Sequence, residues 1–573
     1  MKTLAIAVLS LLGVTALADK NHDAKKPAWP LPIEVDADAE PIKDLRNSTS
    51  APDLGYAGAM LETSTLMSEW FYISNRVESA KLVRDAGAWV VRPWNANDLW
   101  QSGIAWSKTK NRAEMRAAYD RIHWTLIDPH AYFSFWKENG MKAILCLENY
   151  GVFADVEKGT RGAWQIEIVK KVICDYVQWI VDNGYKDCVA GFELGNEPYF
   201  GNNPEQYGER WCAIVPEIKR IWPEAKIGLP IAEYRPNDPD IAAVRARATG
   251  LEWVQNGNEF SFGRLNQWSG RAIVAMTSQL HNVSHVIYHF YGGEAPYGCS
   301  ASGFGRIKNF AKVFPEVADK RVWITEWRER SDEDNRCHQT FQSSLWKGHY
   351  LLLCLAQPEV DGISLHNLGA LGGGFSMSFG GTWHVEWDPS GRDYVDPDYK
   401  GVPRVITGPA APVFKIYTEA LKKHPIVLNH GNCEKRGRDV VVWASAAYYS
   451  SSLAQMYAMA KGLPKEKWPQ LKSNVEWVAT MSADKKSLSV LMVNSNGREI
   501  DMPIELKGCR FAGKPVVQSV TIPAEHVYSH LVPGERPLWQ LSEATLKSMS
   551  GTAGVISIGP NTVQSVTIPV KTR

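Results

Sequence analysis

Gly191-Phe192-Glu193-Leu194-Gly195-Asn196-Glu197-Pro198 reads as a short apolar strand that stops at an Asn-Glu pair, followed by a proline that cannot continue a central ladder. A carboxylate at the mouth of a strand is placed for chemistry. Arg321-Val322-Trp323-Ile324-Thr325-Glu326-Trp327 is a second apolar run leading to a glutamate. Two strand-end carboxylates on one scaffold suit an acid and a nucleophile.

Outward from these two, short apolar runs alternate with longer segments of helical period. The spacing predicts strands near 56–60, 89–92, 141–147, 189–194, 226–230, 285–291, 322–325 and 362–365, with helices such as 163–182 and 341–356 between them. Eight strand-helix units predict an α/β fold, a (β/α)8 TIM barrel over 54–425. A doubly wound open sheet is the competing arrangement, disfavoured because no Gly-rich phosphate loop follows the first strand. In a barrel the catalytic groups stand at the carboxyl ends of strands, where Glu197 (fourth) and Glu326 (seventh) fall. The loops 93–127, with Trp94, Trp100, Trp106 and Trp124, and 366–409, with Trp383 and Trp387, are expected to wall the substrate site.

Beyond a helix at 412–424 the texture becomes β-rich, with runs at 440–443, 475–481, 488–493 and 516–522 between Asn, Gly, Asp and Pro turns. This predicts a C-terminal antiparallel β-sandwich over 426–573. The hexapeptide QSVTIP occurs at 518–523 and 564–569, as expected of two strands of similar exposure. Residues 19–53 are rich in Pro, Asp, Ala and Lys and read as an N-terminal arm or linker. Residues 1–18 carry Lys2, an apolar run from Leu4 to Val14, and Ala16-Leu17-Ala18, the pattern of a signal peptide cleaved before Asp19. The apolar run is too short to span a bilayer, for which about 18 residues are needed. The mature chain is therefore expected to be secreted or periplasmic, with no membrane partner after cleavage.

The 573 residues favour more than one domain. Net charge is +1, which gives no field to attract nucleic acid. The 23 Trp offer flat faces that suit sugar rings as well as core packing. Nine cysteines show no CxxC and no Cys/His cluster at zinc spacing, so no zinc site is expected, and chemistry by two carboxyl groups requires neither a metal nor an organic cofactor. Cys299 with Cys337 and Cys433 with Cys509 are candidate bridges. Nothing in the sequence fixes the oligomeric state.

Asn196-Glu197-Pro198 on the fourth strand, Glu326 on the seventh and His289-Phe290-Tyr291 on the sixth together resemble the clan of retaining (β/α)8-barrel glycoside hydrolases that includes cellulases, mannanases, β-xylosidases and arabinofuranosidases. The resemblance implies that Glu197 is the acid/base and Glu326 the nucleophile. It places Asn196 at the sugar 2-hydroxyl, Tyr291 and Arg92 against the nucleophile, and a carbohydrate as substrate. His289, Trp327 and Trp94 are further candidate contacts. The third strand ends in Glu148-Asn149, where an additional carboxylate can meet a hydroxyl. The eighth ends in His366-Asn367 where many members place a Trp. The appended sandwich resembles the xylosidase and arabinofuranosidase branches. Glu193 is expected deeper in the barrel, in an ion pair.

In the retaining scheme Glu197 is protonated when Glu326 attacks, and a neighbouring anion together with Arg92 and Tyr291 would separate their ionisation. The alternative reading is a carbohydrate-binding protein on a glycosidase scaffold that has lost turnover.

Overall fold

The computed structural model describes chiefly residues 32–47, 58–59, 90–93, 96–109, 128–147, 166–200, 202–232, 262–291, 310–328, 341–365, 410–431, 475–523, 539–546 and 549–572, with short pieces between. Two short strands come first, β1 (Ile33–Asp36) and β2 (Lys43–Asp44). Eight parallel strands then follow: β3 (Gly58–Ala59), β4 (Val90–Val91), β5 (Lys142–Leu147), β6 (Val189–Leu194), β7 (Ile227–Pro230), β8 (His285–Tyr291), β9 (Arg321–Arg328) and β10 (Val360–Leu365). They close into a barrel in chain order, β10 returning to β3 through Ser364 opposite Gly58 and Leu365 opposite Ala59.

The connecting helices follow from their sequence period. Val169, Ile173, Tyr176, Val177 and Ile180 fall on one stripe of the helix Ile166–Asp182, and all are buried. Asn203 caps the helix Pro204–Ile221, its side chain accepting from the backbone N–H groups of Glu205 and Gln206, with Pro204 preset for the first turn. Six of the eight strands in β3–β10 are four residues or longer, and β6 is buried along its whole length.

Inside the barrel, large and small residues face each other. The Trp323 indole from β9 lies across the interior, stacked on His285 of β8 at 3.9 Å between centroids. Two glycines make room for it. A Cβ at Gly191 would fall 2.4 Å from Trp323 Cη2 and 2.9 Å from the Lys226 carbonyl, and one at Gly228 would fall 3.0 Å from Trp323 Cε3. Gly191 and Glu193 share the interior face of β6, so the layer above the indole is built on a carboxylate.

Among the described residues the C-terminal strands form two main sheets and a small ribbon of Cys433–Arg436 with Val440–Trp443. A three-stranded sheet holds β1, Ile500–Lys507 and Ala553–Ile558; the larger sheet runs β2, Ile426–Gly431, Glu476–Met481, Ser487–Asn494, Thr562–Thr572, Val516–Thr521 and Gln540–Thr545. The two QSVTIP copies lie antiparallel against each other, Gln518 opposite Ser565 and Ser519 opposite Gln564. The larger sheet is covered on both faces. In Ser487–Asn494, Leu488, Val490 and Met492 enter the core between the sheets, while Leu491 and Val493 join the barrel's core. This is why that strand is almost continuously apolar. A polar bridge crosses the same junction: His349 on the helix Phe341–Leu355 lies 2.6 Å from Glu476 Oε2 and 2.7 Å from Ser495 Oγ.

The segment before the barrel is tied to both parts. β1 pairs in parallel with 504–507, and β2 pairs antiparallel with 426–427. Lys43 on β2 is buried, and its ammonium donates to the carbonyls of Cys354 (3.2 Å), Val360 (3.1 Å) and Gln357. It thereby meets the carboxyl end of the helix Phe341–Leu355. Burial pushes the Lys43 ammonium down to about 7, against the pull of Glu359.

The Trp323 packing makes a quantitative expectation. A Gly191→Ala protein should lose about 1–3 kcal/mol in urea unfolding, because the indole and the Lys226 carbonyl cannot both retreat. Gly497→Ala, where an added Cβ meets nothing within 4 Å, should unfold like the parent.

Candidate active site

The carboxyl end of β6 turns sharply. Gly195 takes φ 92° and Glu197 φ 42°, so two of three consecutive residues lie in the left-handed region that glycine tolerates and glutamate does not favour. Strain of this kind costs about 1–3 kcal/mol per residue and persists where the surroundings fix it. Here the turn delivers the Asn196 and Glu197 side chains to the barrel mouth.

Beneath them lies Arg92, which follows β4 and has no solvent exposure. Its Nε donates to Glu193 Oε2 at 2.5 Å, its Nη2 to Glu193 Oε1 at 2.7 Å and to Asn196 Oδ1 at 2.8 Å, and its Nη1 to Glu326 Oε1 at 2.6 Å. Cys146 of β5 lies 3.7 Å from Nη2. One guanidinium thus binds groups from β5, β6 and β9. The bidentate pair with Glu193 is the strong geometry for this planar cation. Burial works against the charged forms of both partners. Their mutual attraction nonetheless raises the Arg92 pKa well above its ordinary value and holds Glu193 below the usual carboxylate range.

Glu326 reaches this point through a bulge. Ile324 pairs with Ile363 and Trp327 with Leu365, so Thr325 and Glu326 together oppose the single residue Ser364; on the other side Tyr288 pairs with Ile324 and His289 with Glu326. The extra residue aims both Thr325 and Glu326 at the mouth. His289 Nδ1 stands 3.0 Å from Glu197 Oε1 and 3.5 Å from Glu326 Oε2; its Nε2 stands 3.0 Å from Thr325 Oγ1 and 3.6 Å from Glu193 Oε1. Burial opposes its protonation, but Glu326, Glu193 and Glu197 raise it to about 9, so the ring is an imidazolium at neutral pH. The Tyr199 hydroxyl donates to Glu197 Oε1 at 3.1 Å. Burial, with Glu197 and Glu326 nearby, pushes that phenol well above its ordinary value, so it stays a donor.

One ligating atom each of Glu197, His289 and Glu326 lie within 4.8 Å of one another. That spacing suits a cation when His289 is the neutral imidazole, which has a lone pair to give. It also suits two carboxyl groups acting on one atom.

The structure thus brings Glu197, Glu326, Asn196, Arg92 and His289 together. Tyr291 is in β8 by its backbone, and its side chain, with Trp94, Glu148, Asn149, His366 and Asn367, lies outside the described residues. Trp327 is a correction: it is fully buried on the outer face of β9, packed against Trp346, Tyr350 and Phe414. The bulge that turns Glu326 inward turns its neighbour outward. Trp100 likewise belongs to the helix Ala96–Thr109 and packs on Tyr176 and Trp179, so it does not wall the site. Sequence reasoning missed Tyr199 and Thr325. Tyr199 directly follows Asn-Glu-Pro and was available to notice, whereas Thr325 depends on the bulge.

No protein-family model matches the chain, and no curated protein matches it by sequence. Solved structures do match, and they place the chain's fold among (β/α)8 glycoside hydrolases that carry a C-terminal β-sandwich. An α-L-arabinofuranosidase from Thermotoga maritima is similar over 94% of this chain and 99% of its own, at 13% identity and a TM-score of 0.55. A family 51 α-L-arabinofuranosidase from Bifidobacterium longum matches over 94% and 100%, at 13% identity and 0.56. A family 30 endoxylanase from Clostridium papyrosolvens matches over 94% and 100%, at 10% identity and 0.50. The likeness is one of fold, that of the clan the sequence resembles.

Two measurements test the charge cluster. Arg92→Met leaves Glu193 buried without its bidentate partner and should cost about 3–5 kcal/mol in denaturant unfolding. For His289, a folded pKa of about 9 against 6.5 means stabilisation present in full below pH 6.5 and lost as pH rises to about 9. The stability difference between the parent and His289→Gln should therefore shrink by about 3 kcal/mol across that window.

Proposed function

We propose that this chain is a secreted retaining glycoside hydrolase that cleaves glycosidic bonds of a polysaccharide or a derived oligosaccharide, with Glu197 as acid/base and Glu326 as nucleophile. The observation that carries the reading is the approach of Glu197 and Glu326 within 4.8 Å across the barrel mouth, with Arg92 on Glu326. Retaining pairs stand about 5–5.5 Å apart, and inverting pairs about 6.5–9.5 Å to lodge a water between them. The closeness of the pair supports direct attack.

In the first step an oxygen of Glu326 bonds to the anomeric carbon while Glu197 gives its proton to the departing oxygen. In the second, Glu197 takes a proton from water, whose oxygen displaces Glu326. Arg92 holds Glu326 Oε1 at a fixed position, so the attacking carboxylate is oriented before substrate arrives. Asn196 is fixed through its Oδ1 by Arg92, the residue that also holds the nucleophile, which leaves its amide N–H groups to serve a sugar hydroxyl. Export rests on the leader pattern at 1–18.

A panel of aryl glycosides and plant and algal polysaccharides tests the assignment. Glu326→Gln should bring hydrolysis to background. Glu197→Ala should slow alkyl glycosides by about 10²–10⁴-fold, with far less effect on the first step for dinitrophenyl glycosides, which need no acid. The first product seen by proton NMR should keep the anomeric configuration of the substrate. Parent-like activity in Glu326→Gln would sink the proposal; binding of oligosaccharide without turnover by the parent would favour a scaffold that only binds.

A further inference from the structure

We propose that Glu193 is a positioning residue that acts as the fixed counter-ion of the site, holding Arg92 in register and His289 as an imidazolium while negative charge passes from Glu326 to Glu197 and back. The proposal rests on the glycosidase reading above.

Glu193 has no solvent exposure, so its effect reaches substrate only through other groups. It takes the side of the guanidinium formed by Nε and Nη2, which leaves Nη1 to face Glu326. Arg92 then orients the nucleophile with one hydrogen bond while most of its charge is met elsewhere. A nucleophile that bore the whole ion pair would be over-stabilised before reaction.

The same carboxylate faces His289, 3.6 Å from Nε2. Among the described residues the groups around that ring are Glu193 of β6, Glu197 in the turn after it, Thr325 and Glu326 of β9, with Arg92 behind Glu193 and Tyr199 behind Glu197. In the form that reacts by the retaining scheme Glu197 holds a proton to give, and with Arg92 and His289 positive and Glu193 and Glu326 negative these five groups sum to zero. When Glu326 forms its bond to the anomeric carbon it becomes a neutral ester, and Glu197, having given its proton to the leaving oxygen, becomes the anion. The sum is again zero. Water then returns a proton to Glu197 as its oxygen releases Glu326. The imidazolium Nδ1, within 3.5 Å of both catalytic carboxyl groups, can follow the charge from one to the other. Remove the charge on Glu193 and every state gains a positive charge in a buried site, which His289 relieves by losing its proton.

The test is a pH titration of the histidine resonances in 15N,13C-labelled protein, with His289 assigned by its absence in His289→Gln. In the parent, His289 should titrate near 9 without substrate. In Glu193→Gln its midpoint should move down by about one pH unit or more, and Glu193→Asp should restore most of it. With an aryl glycoside, kcat of Glu193→Gln should fall between pH 6 and pH 8 while that of the parent does not fall with His289, and KM should change little. A His289 that is neutral at pH 7 in the parent overturns the proposal even if Glu193→Gln fails to fold. So does a Glu193→Gln protein whose His289 titrates as in the parent, the result expected of a purely structural carboxylate. If the parent hydrolyses nothing yet shows these titrations, the glycosidase reading fails and the counter-ion assignment stands.

Discussion

A guanidinium cut off from water must find acceptors for its donors inside the protein, and Arg92 finds them on groups carried by β5 and β6 and, across the barrel mouth, by β9. Desolvating such an ion costs several kcal/mol, which is recovered only through good geometry and near-complete hydrogen bonding. Those conditions oblige β5, β6 and β9 to hold their carboxyl ends in one relation to each other. The site is therefore as rigid as the ion pair beneath it.

Two local departures from regular backbone are tolerated above that base. The turn after β6 places a glutamate in left-handed conformation, and the bulge in β9 inserts one residue opposite Ser364. Each would be unfavourable alone. Together they turn two side chains from different strands toward a common point, where the Glu193–Arg92 pair and His289 hold them by charge. A parallel barrel suits this because its strands end side by side at one rim.

Much of the fold was legible because the barrel strands are short apolar runs bounded by polar loops, and β5, β6 and β8 lie within a residue of the runs that announced them. Asn196-Glu197-Pro198 was legible for the same reason, as a sudden polar stop to an apolar strand. The face on which β9 presents its side chains was not. Strict alternation from Trp323, which points inward, would send Thr325 and Trp327 inward and Glu326 outward; the bulge brings Glu326 in and Trp327 out. Composition carries no sign of that extra residue. The role of Glu193 was equally hidden, since an ion pair can be inferred from one strand but its sharing with a histidine two strands further along the chain cannot. Trp100 shows the limit of reading aromatics in a long connection as walls: the same apolar face that suits a sugar suits Tyr176.

The way β1 and β2 are held has a consequence for how the chain reaches this state. Glu34 and Lys507 are ion-paired across 473 positions, and Lys43 meets carbonyls more than 310 positions away. An early segment of the chain is thus docked against much later ones, and contacts of such long separation slow folding because their loop entropy must be met before they return any energy. Until 426–427 and 504–507 are folded into their sheets, Ile33 and Val35 have no sheet to enter. The arm is a latch that closes only once those later strands are in place, and until it closes the strand Ile500–Lys507 offers an open edge to other chains.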